Sequence, residues 1–312
     1  PELTMEHPKP LHVGSRAAIV SPAGPVTPEL LQEGETLLRD WGLEVEMHDD
    51  VYETHDEHGY LAGTDHLRAQ AVQEVMDDPE IGAIIFSRGG YGTMRILPRL
   101  DYSRFVSRPK ILAGFSDLTA LHLYIAGVLD VATLHAPVIK SVGLHQPGGD
   151  TLASLREALF GERTAPFDVT GLESVQPGRA SGRVLGGNLT ILTHLLDSHF
   201  CPDLNGTLLL IEEVGEEDYR LDRMMTSLRL SAKAGAPAGV LLGDFTDCGG
   251  AYLEDDEIDE FVQTLASEFD CPIVADFPSG HGPRNVAVPL GVRATLDATE
   301  GRLTFDEDVC SL

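Results

Sequence analysis

Lysine is scarce in this sequence. There are four, Lys9, Lys110, Lys140 and Lys233, and 22 Lys plus Arg face 50 Asp plus Glu, for a formal charge of −28 over 312 residues. Such a chain repels nucleic-acid phosphates and anionic membrane surfaces, so neither is expected as a partner. Any site for an acidic ligand must then be locally basic, while a solvated acidic surface accounts for the rest of the charge. Aromatic residues make up only 6%, with one Trp, at position 41. The four cysteines (Cys201, Cys248, Cys271, Cys310) form no C-x-x-C pair and show no zinc spacing. They suit reduced, partly buried thiols in a cytoplasmic setting rather than a disulfide framework. No stretch approaches the roughly 18 apolar residues of a membrane span, and the acidic, Pro-punctuated start lacks the make-up of a signal peptide. Internal repeats and low-complexity tracts are absent too.

What is present suffices for ordinary cores. Hydrophobic residues reach 42% and charged ones 23%, which excludes wholesale disorder. The length suits two domains of about 150 residues each. Residues 1–145 alternate short apolar runs with helical patterns. Ala17–Val20 reads as a buried strand ending at a tight loop, Ser21–Pro25. Thr27 then offers an N-cap before Pro28, and Leu30, Leu31, Gly34, Leu37, Leu38 and Trp41 are expected on one helical face. Leu43–Met47, Ile81–Ser87 and Ile111–Phe115 continue the strands, with a helix opening at Thr64-Asp65. Unbroken apolar strands alternating with helices predict an open parallel sheet covered on both faces.

Residues 146–178 change character, with Gln146-Pro147-Gly148-Gly149, a short helix near Leu152–Phe160, Pro166 and Gln176-Pro177-Gly178. This stretch reads as a connection between domains. Residues 179–312 bring strands near Gly182–Leu185, Thr207–Ile211, Gly239–Leu242 and Ile273–Phe277. Helices are expected at Leu189–Leu196, Leu221–Leu230 and Asp255–Phe269, before a β-rich end at Val286–Leu296 and Arg302–Phe305. The expectation is a second α/β domain with a mixed sheet.

Four segments could carry chemistry. In Gly114-Phe115-Ser116-Asp117 a buried strand meets a helix with a serine at the junction, the setting of a nucleophile elbow; a capping serine is the competing reading. Ser87-Arg88-Gly89-Gly90-Tyr91-Gly92 follows another buried strand. Its glycines can turn backbone N–H groups toward a ligand, and Arg88 sits where open α/β sheets bind ligands. No Lys-Ser/Thr follows and no G-x-G-x-x-G is formed, so neither a Walker loop nor a dinucleotide fingerprint is present. Leu208–Ile211 runs into Glu212-Glu213, which strand alternation points one toward the sheet and one outward. Gly280-His281-Gly282 lies on a post-strand loop, suited to general-base work or simply exposed. The order Ser116, Glu212, His281 is that of α/β-hydrolase triads.

These runs, with Gly186-Gly187-Asn188-Leu189 and Tyr219-Arg220-Leu221-Asp222-Arg223-Met224, resemble the LD-carboxypeptidase family of serine peptidases over essentially the whole chain. The resemblance implies two domains, the first similar to class I glutamine amidotransferases and the second a smaller mixed α/β unit, often in a homodimer. It implies a triad of Ser116, Glu212 and His281, Glu212 being chosen over Glu213 by the family's Leu-Glu-Asp block. It also implies an oxyanion hole from the Gly90 and Asp117 amides. The activity implied is release of terminal D-alanine from murein tetrapeptides at an L,D amide bond, with no cofactor and no metal. Arg88 and Gly89 are expected at the substrate, Arg88 on its terminal carboxylate; Asn188 is expected either at the substrate or as a helix cap.

The same residues admit rival readings. Microcin-immunity peptidases of the same family cleave aminoacyl-nucleotide-like conjugates, but they call for aromatic stacking surfaces that this chain has few of. A non-catalytic binding protein would lack a triad member, and none is missing. A metal hydrolase built on His55, Asp56, His58, Asp65 and His66 has no helical ligand spacing behind it.

Overall fold

The structure, a computed structural model, describes residues 5–142, 149–254 and 257–310. The strands of the first half are β1 (Arg16–Val20), β2 (Glu44–Met47), β3 (Ile81–Phe86), β4 (Ile111–Gly114) and β5 (Thr133–His135). Then come β6 (Phe167–Thr170), β7 (Glu173–Gln176), β8 (Arg179–Asn188), β9 (Leu208–Val214) and β10 (Gly239–Thr246). The last are β11 (Ile273–Ala275), β12 (Val288–Leu290), β13 (Arg293–Asp297) and β14 (Arg302–Phe305).

They form two sheets, β12-β5-β4-β3-β1-β2 and β6-β14-β13-β8-β9-β10-β11-β7. In the first, β1 to β5 pair in parallel, and their apolar runs are buried because helices cover both faces. In the second, β8, β9, β10 and β11 are parallel, flanked by antiparallel β7 on one side and β13, β14 and β6 on the other. The mixed α/β architecture matches the expectation.

Details depart from it. In the helix Pro28–Asp40 the buried face is Leu31, Gly34 and Leu38, while Leu30 is exposed and Trp41 is the C-cap. The stretch read as a connection holds, besides its expected helix (Asp150–Phe160), the strands β6 and β7; residues 143–148 lie outside the described residues. Short alternating strands between proline and glycine turns look like linker in sequence, yet Val169 meets Leu303 and Phe167 meets Phe305 across the β6–β14 ladder. Among the described residues the second sheet consequently has eight strands to the first sheet's six. The helix expected at Asp255–Phe269 runs Ile258–Ala266, its predicted start falling on 255–256, outside the described residues. Finally, β12 does not extend the second sheet but pairs antiparallel with β5 in the first, Val288 against His135.

That crossing is fastened by charge. Arg163 Nε donates to Asp308 Oδ2 at 2.7 Å, Nη2 donates to Oδ1, and Nη1 donates to the Ala287 carbonyl at 2.8 Å. The two side chains are 9% and 5% exposed, so deleting one strands the other charge in a dry site. Asp308→Ala is therefore expected to cost about 3 kcal/mol of unfolding free energy, read by denaturant titration with an unchanged m-value.

Candidate active site

β4 delivers its chain to Ser116 in the left-handed region, at φ +65°. A non-glycine residue there is strained and persists only where its surroundings fix it. Ser116 opens a short 3-10 turn, Ser116–Leu118, that leads into the helix Thr119–Gly127, and it makes no capping bond. Its hydroxyl instead lies 3.2 Å from Nε2 of His281, so the capping alternative is not what the fold adopts. His281 Nδ1 lies 2.8 Å from Oε2 of Glu212, and its ring packs on Phe115 with centroids 4.7 Å apart.

Glu212 and Glu213 are both buried, correcting the expectation that one faces outward. Helix Leu189–Leu195 covers the second face: Glu213 accepts from Asn188 Nδ2 at 2.8 Å, Thr190 N at 2.7 Å and Val214 N at 2.8 Å. Asn188 is the cap of that helix, its Oδ1 accepting from Ile191 N at 3.1 Å. Asn188 is 5% exposed and is not among the residues that line the cleft; the structure places it as a helix cap.

The glycine loop passes directly over the serine. A Cβ on Gly89 would stand 3.0 Å from Ser116 Cβ and 3.1 Å from its Oγ, with the Asp117 amide nitrogen 3.5 Å away. Any side chain at 89 would press on the hydroxyl. Gly90 has φ +115°. Among the described residues, neither the Gly90 nor the Asp117 backbone N–H donates to another protein group, so both can serve a developing anion.

These groups border a cleft of about 770 Å³, lined also by Arg88, Lys140, Asp150, Arg284 and Asn285. The size suits a small ligand. Arg284 pairs with Asp150 at 3.0 Å on the rim. Among the described residues Arg88 donates to the Gly89 and Pro25 carbonyls, each at 3.2 Å. Among the described residues neither Arg88 nor Lys140 has a carboxylate partner, which makes this cleft basic in a chain of charge −28.

Two residues of the surroundings were not foreseen. Asp244 sits at a break in the β9–β10 register, where its Oδ2 accepts from Gly282 N at 3.1 Å and its own N–H donates to Ser279 O at 3.0 Å. It fixes the turn carrying His281, and burial raises its carboxyl to about 6. His122, behind the elbow, is bonded to the Gly114 carbonyl at 2.8 Å and to Thr133 Oγ1 at 2.9 Å. Burial lowers it to about 4, keeping it neutral. A mid-helix histidine and a carboxylate inside an apolar strand carry no sequence motif. Of the residues of the metal reading, Asp65 pairs with Arg68 and Arg95, and His55 Nδ1 accepts from Glu57 N and His58 N. No group of three or more His, Cys, Asp or Glu side chains placed to hold a metal occurs among the described residues.

A strained serine facing an imidazole that is backed by a buried carboxylate, at the mouth of a parallel sheet, belongs to the class of serine hydrolases. Comparison with known proteins narrows the class. The LD-carboxypeptidase N-terminal domain matches residues 17–136 and the C-terminal domain residues 181–296. A putative carboxypeptidase of Streptomyces coelicolor is 39% identical over 97% of both chains. The murein tetrapeptide carboxypeptidase of Pseudomonas aeruginosa is 32% identical, over 93% of this chain and 95% of that one. Among solved structures, the wild-type microcin C7 self-immunity protein superposes with a TM-score of 0.88 at 25% identity, over 98% of this chain and 99% of that one. The chain belongs to the LD-carboxypeptidase family and is a serine-type carboxypeptidase.

Burial alone would lower the His281 imidazole. The hydrogen bond and negative charge of Glu212, with Glu213 and Asp244 nearby, outweigh it and hold His281 above the ordinary 6.5. The fold thus favours the protonated ring: that stabilisation is complete below the unfolded value of 6.5 and is lost as pH rises through the higher folded one. An NMR titration of His281 is expected to show a midpoint above 6.5, and Glu212→Gln, which keeps the burial but removes the charge, is expected to lower it.

Proposed function

We propose that this carboxypeptidase releases terminal D-alanine from murein tetrapeptides through a Ser116–His281–Glu212 triad. The observation that carries the reading is the continuous hydrogen-bonded line from Glu212 through His281 to Ser116, at 2.8 and 3.2 Å, opening into a cleft with two cations that have no acidic partner among the described residues. The murein tetrapeptide substrate named for the Pseudomonas relative supports the choice of substrate.

The chemistry then runs in two halves. Ser116 Oγ attacks the carbonyl of the L-configured residue while His281 Nε2 takes the hydroxyl proton. Glu212 holds the ring by Nδ1–H and stabilises its charged form, and the Gly90 and Asp117 amides receive the oxyanion. As the intermediate collapses, the C–N bond breaks and His281 returns the proton to the amine of departing D-alanine. A water molecule, deprotonated by the same imidazole, then cleaves the acyl-serine ester. Arg88, with Lys140 beside it, receives the terminal carboxylate, since a planar guanidinium can hold both its oxygens. On this reading the protein works as a cytoplasmic homodimer on small peptides. The reduced state of Cys201, Cys248, Cys271 and Cys310 suits that compartment.

The likeness to the microcin C7 self-immunity protein favours one second reading, cleavage of an aminoacyl-nucleotide-like conjugate. Apart from His281, Phe115 is the one aromatic side chain among the described cleft residues, a thin surface for stacking a base.

Incubation with a murein tetrapeptide should release D-alanine, whereas turnover of aspartyl sulfamoyl adenosine with no tetrapeptide turnover would reverse the order of the two readings. Ser116→Ala should lower kcat by several orders of magnitude with the melting curve intact. Arg88→Ala should raise KM about tenfold or more with a smaller change in kcat, and an unchanged KM would remove Arg88 from carboxylate binding. Activity should decline on the acid side as His281 takes up its proton, from a pH above the 6.5 of an ordinary imidazole.

A further inference from the structure

One peptide unit behind the glycine loop is gripped at both ends. The Gly92 carbonyl accepts from Nη1 of Arg68 at 2.8 Å. The N–H of the same unit, on Thr93, donates to Oδ2 of Asp117 at 2.8 Å. Arg68 and Asp117 are each 1% exposed. Arg68 belongs to the helix Asp65–Asp77, is paired there with Asp65, and donates also to the Pro22 carbonyl. It thereby ties the loop after β1 to the glycine loop, which the Gly24 N–H reaches a second time at the Gly89 carbonyl, 3.2 Å away. A Cβ on Gly92 would lie 2.6 Å from Arg68 Nη1, so the close approach of the guanidinium depends on glycine at that place.

Asp117 takes part twice. Its backbone N–H is one of the two donors assigned to the oxyanion, while its carboxylate anchors the loop that presents the other, Gly90, two residues before the gripped peptide. Burial raises that carboxyl to about 6, which still leaves it ionised at neutral pH, when it is the better acceptor for the Thr93 N–H and is attracted to Arg68. We propose that the Asp117 side chain, with Arg68, is a positioning device that sets the Gly90 donor in register with the donor on the elbow. The inference rests on the serine-hydrolase reading above. It goes beyond it by giving the side chain of the residue after the nucleophile a task of its own. Donors misaimed by an ångström lose most of their stabilisation of the transition state while ground-state binding is spared.

The test uses the full chain with Asp117→Ala and Asp117→Asn, a serine-directed phosphonate as the oxyanion-forming probe, and tetrapeptide turnover. Alanine removes the acceptor for the Thr93 N–H; asparagine keeps one in its Oδ1. Asp117→Ala is expected to lower kcat and the rate of Ser116 phosphonylation together by about 100-fold, with KM changed less than threefold. Asp117→Asn is expected to stay within about tenfold of the parent in both. The inference is overturned if folded Asp117→Ala phosphonylates at the parent rate, if KM rises as much as kcat falls, or if Asp117→Asn is as slow as alanine. Failure of both variants to fold would also overturn it, placing the carboxylate in the stability of the chain rather than in donor geometry. Absence of any phosphonate adduct on Ser116 of the parent protein would instead remove the serine reading itself.

Discussion

The contact between Ser116 Oγ and His281 Nε2 joins residues 165 positions apart, one from each sheet, and a contact of this kind tolerates little play. Much of the architecture can be understood as holding the sheets at that separation. Helix Thr119–Gly127 starts from the elbow and packs on both β5 and β8, and Thr119 Oγ1 accepts from Asn188 N at 3.0 Å. Arg183 on β8 reaches Asp130 at 2.8 Å and the Gly291 carbonyl at 2.7 Å. The loop bearing His281 then continues directly into β12, which is hydrogen-bonded to the edge of the first sheet. The imidazole is thus tethered on both sides: its Gly282 neighbour to Asp244 of the second sheet, and its downstream strand to β5 of the first.

Electrostatics follow the same economy. In a chain of charge −28, most arginines are neutralised locally, as Arg16, Arg39, Arg156 and Arg220 are by neighbouring glutamates. Such exposed pairs contribute little to stability. Arg88 and Lys140 have no carboxylate partner among the described residues, and what distinguishes them is that they line the same cleft as the hydroxyl and the imidazole. Apart from Asp150, which pairs with Arg284 on the rim, the negative charge at the site is buried behind it, on Glu212 and Glu213, where it bears on His281 rather than on an incoming anion.

Much of this was legible in the residues. Unbroken apolar runs such as Ile81–Phe86 and Ile111–Gly114 announce parallel strands, and the glycines and serine at their carboxyl ends mark the cleft. Ser116, His281 and the glycine loop stand out by their motifs and order, while the choice of Glu212 over Glu213 comes from the family resemblance. Other features left no local trace. The pairing of β12 with β5 is a choice between two sheets that Val288-Pro289-Leu290 cannot encode by pattern. Strands β6 and β7 are short, half-exposed and bounded by turn residues, so their periodicity is too brief to distinguish from a linker. Asn188 has the same local sequence whether it caps or binds; only Glu213, 25 positions away, decides. Arg68 looks like any helix-surface arginine until the loops it serves fold against it.

The crossing of β12 has a consequence for how the chain comes into being. The first half emerging from a ribosome would carry β5 with one flank bare, a ready template for mispairing with another nascent copy. Only when Val288–Leu290 has been made is that flank occupied. The amino-terminal sheet is therefore incomplete until β12 has been made, and a strand lying beyond the second sheet in sequence also covers the edge of the first.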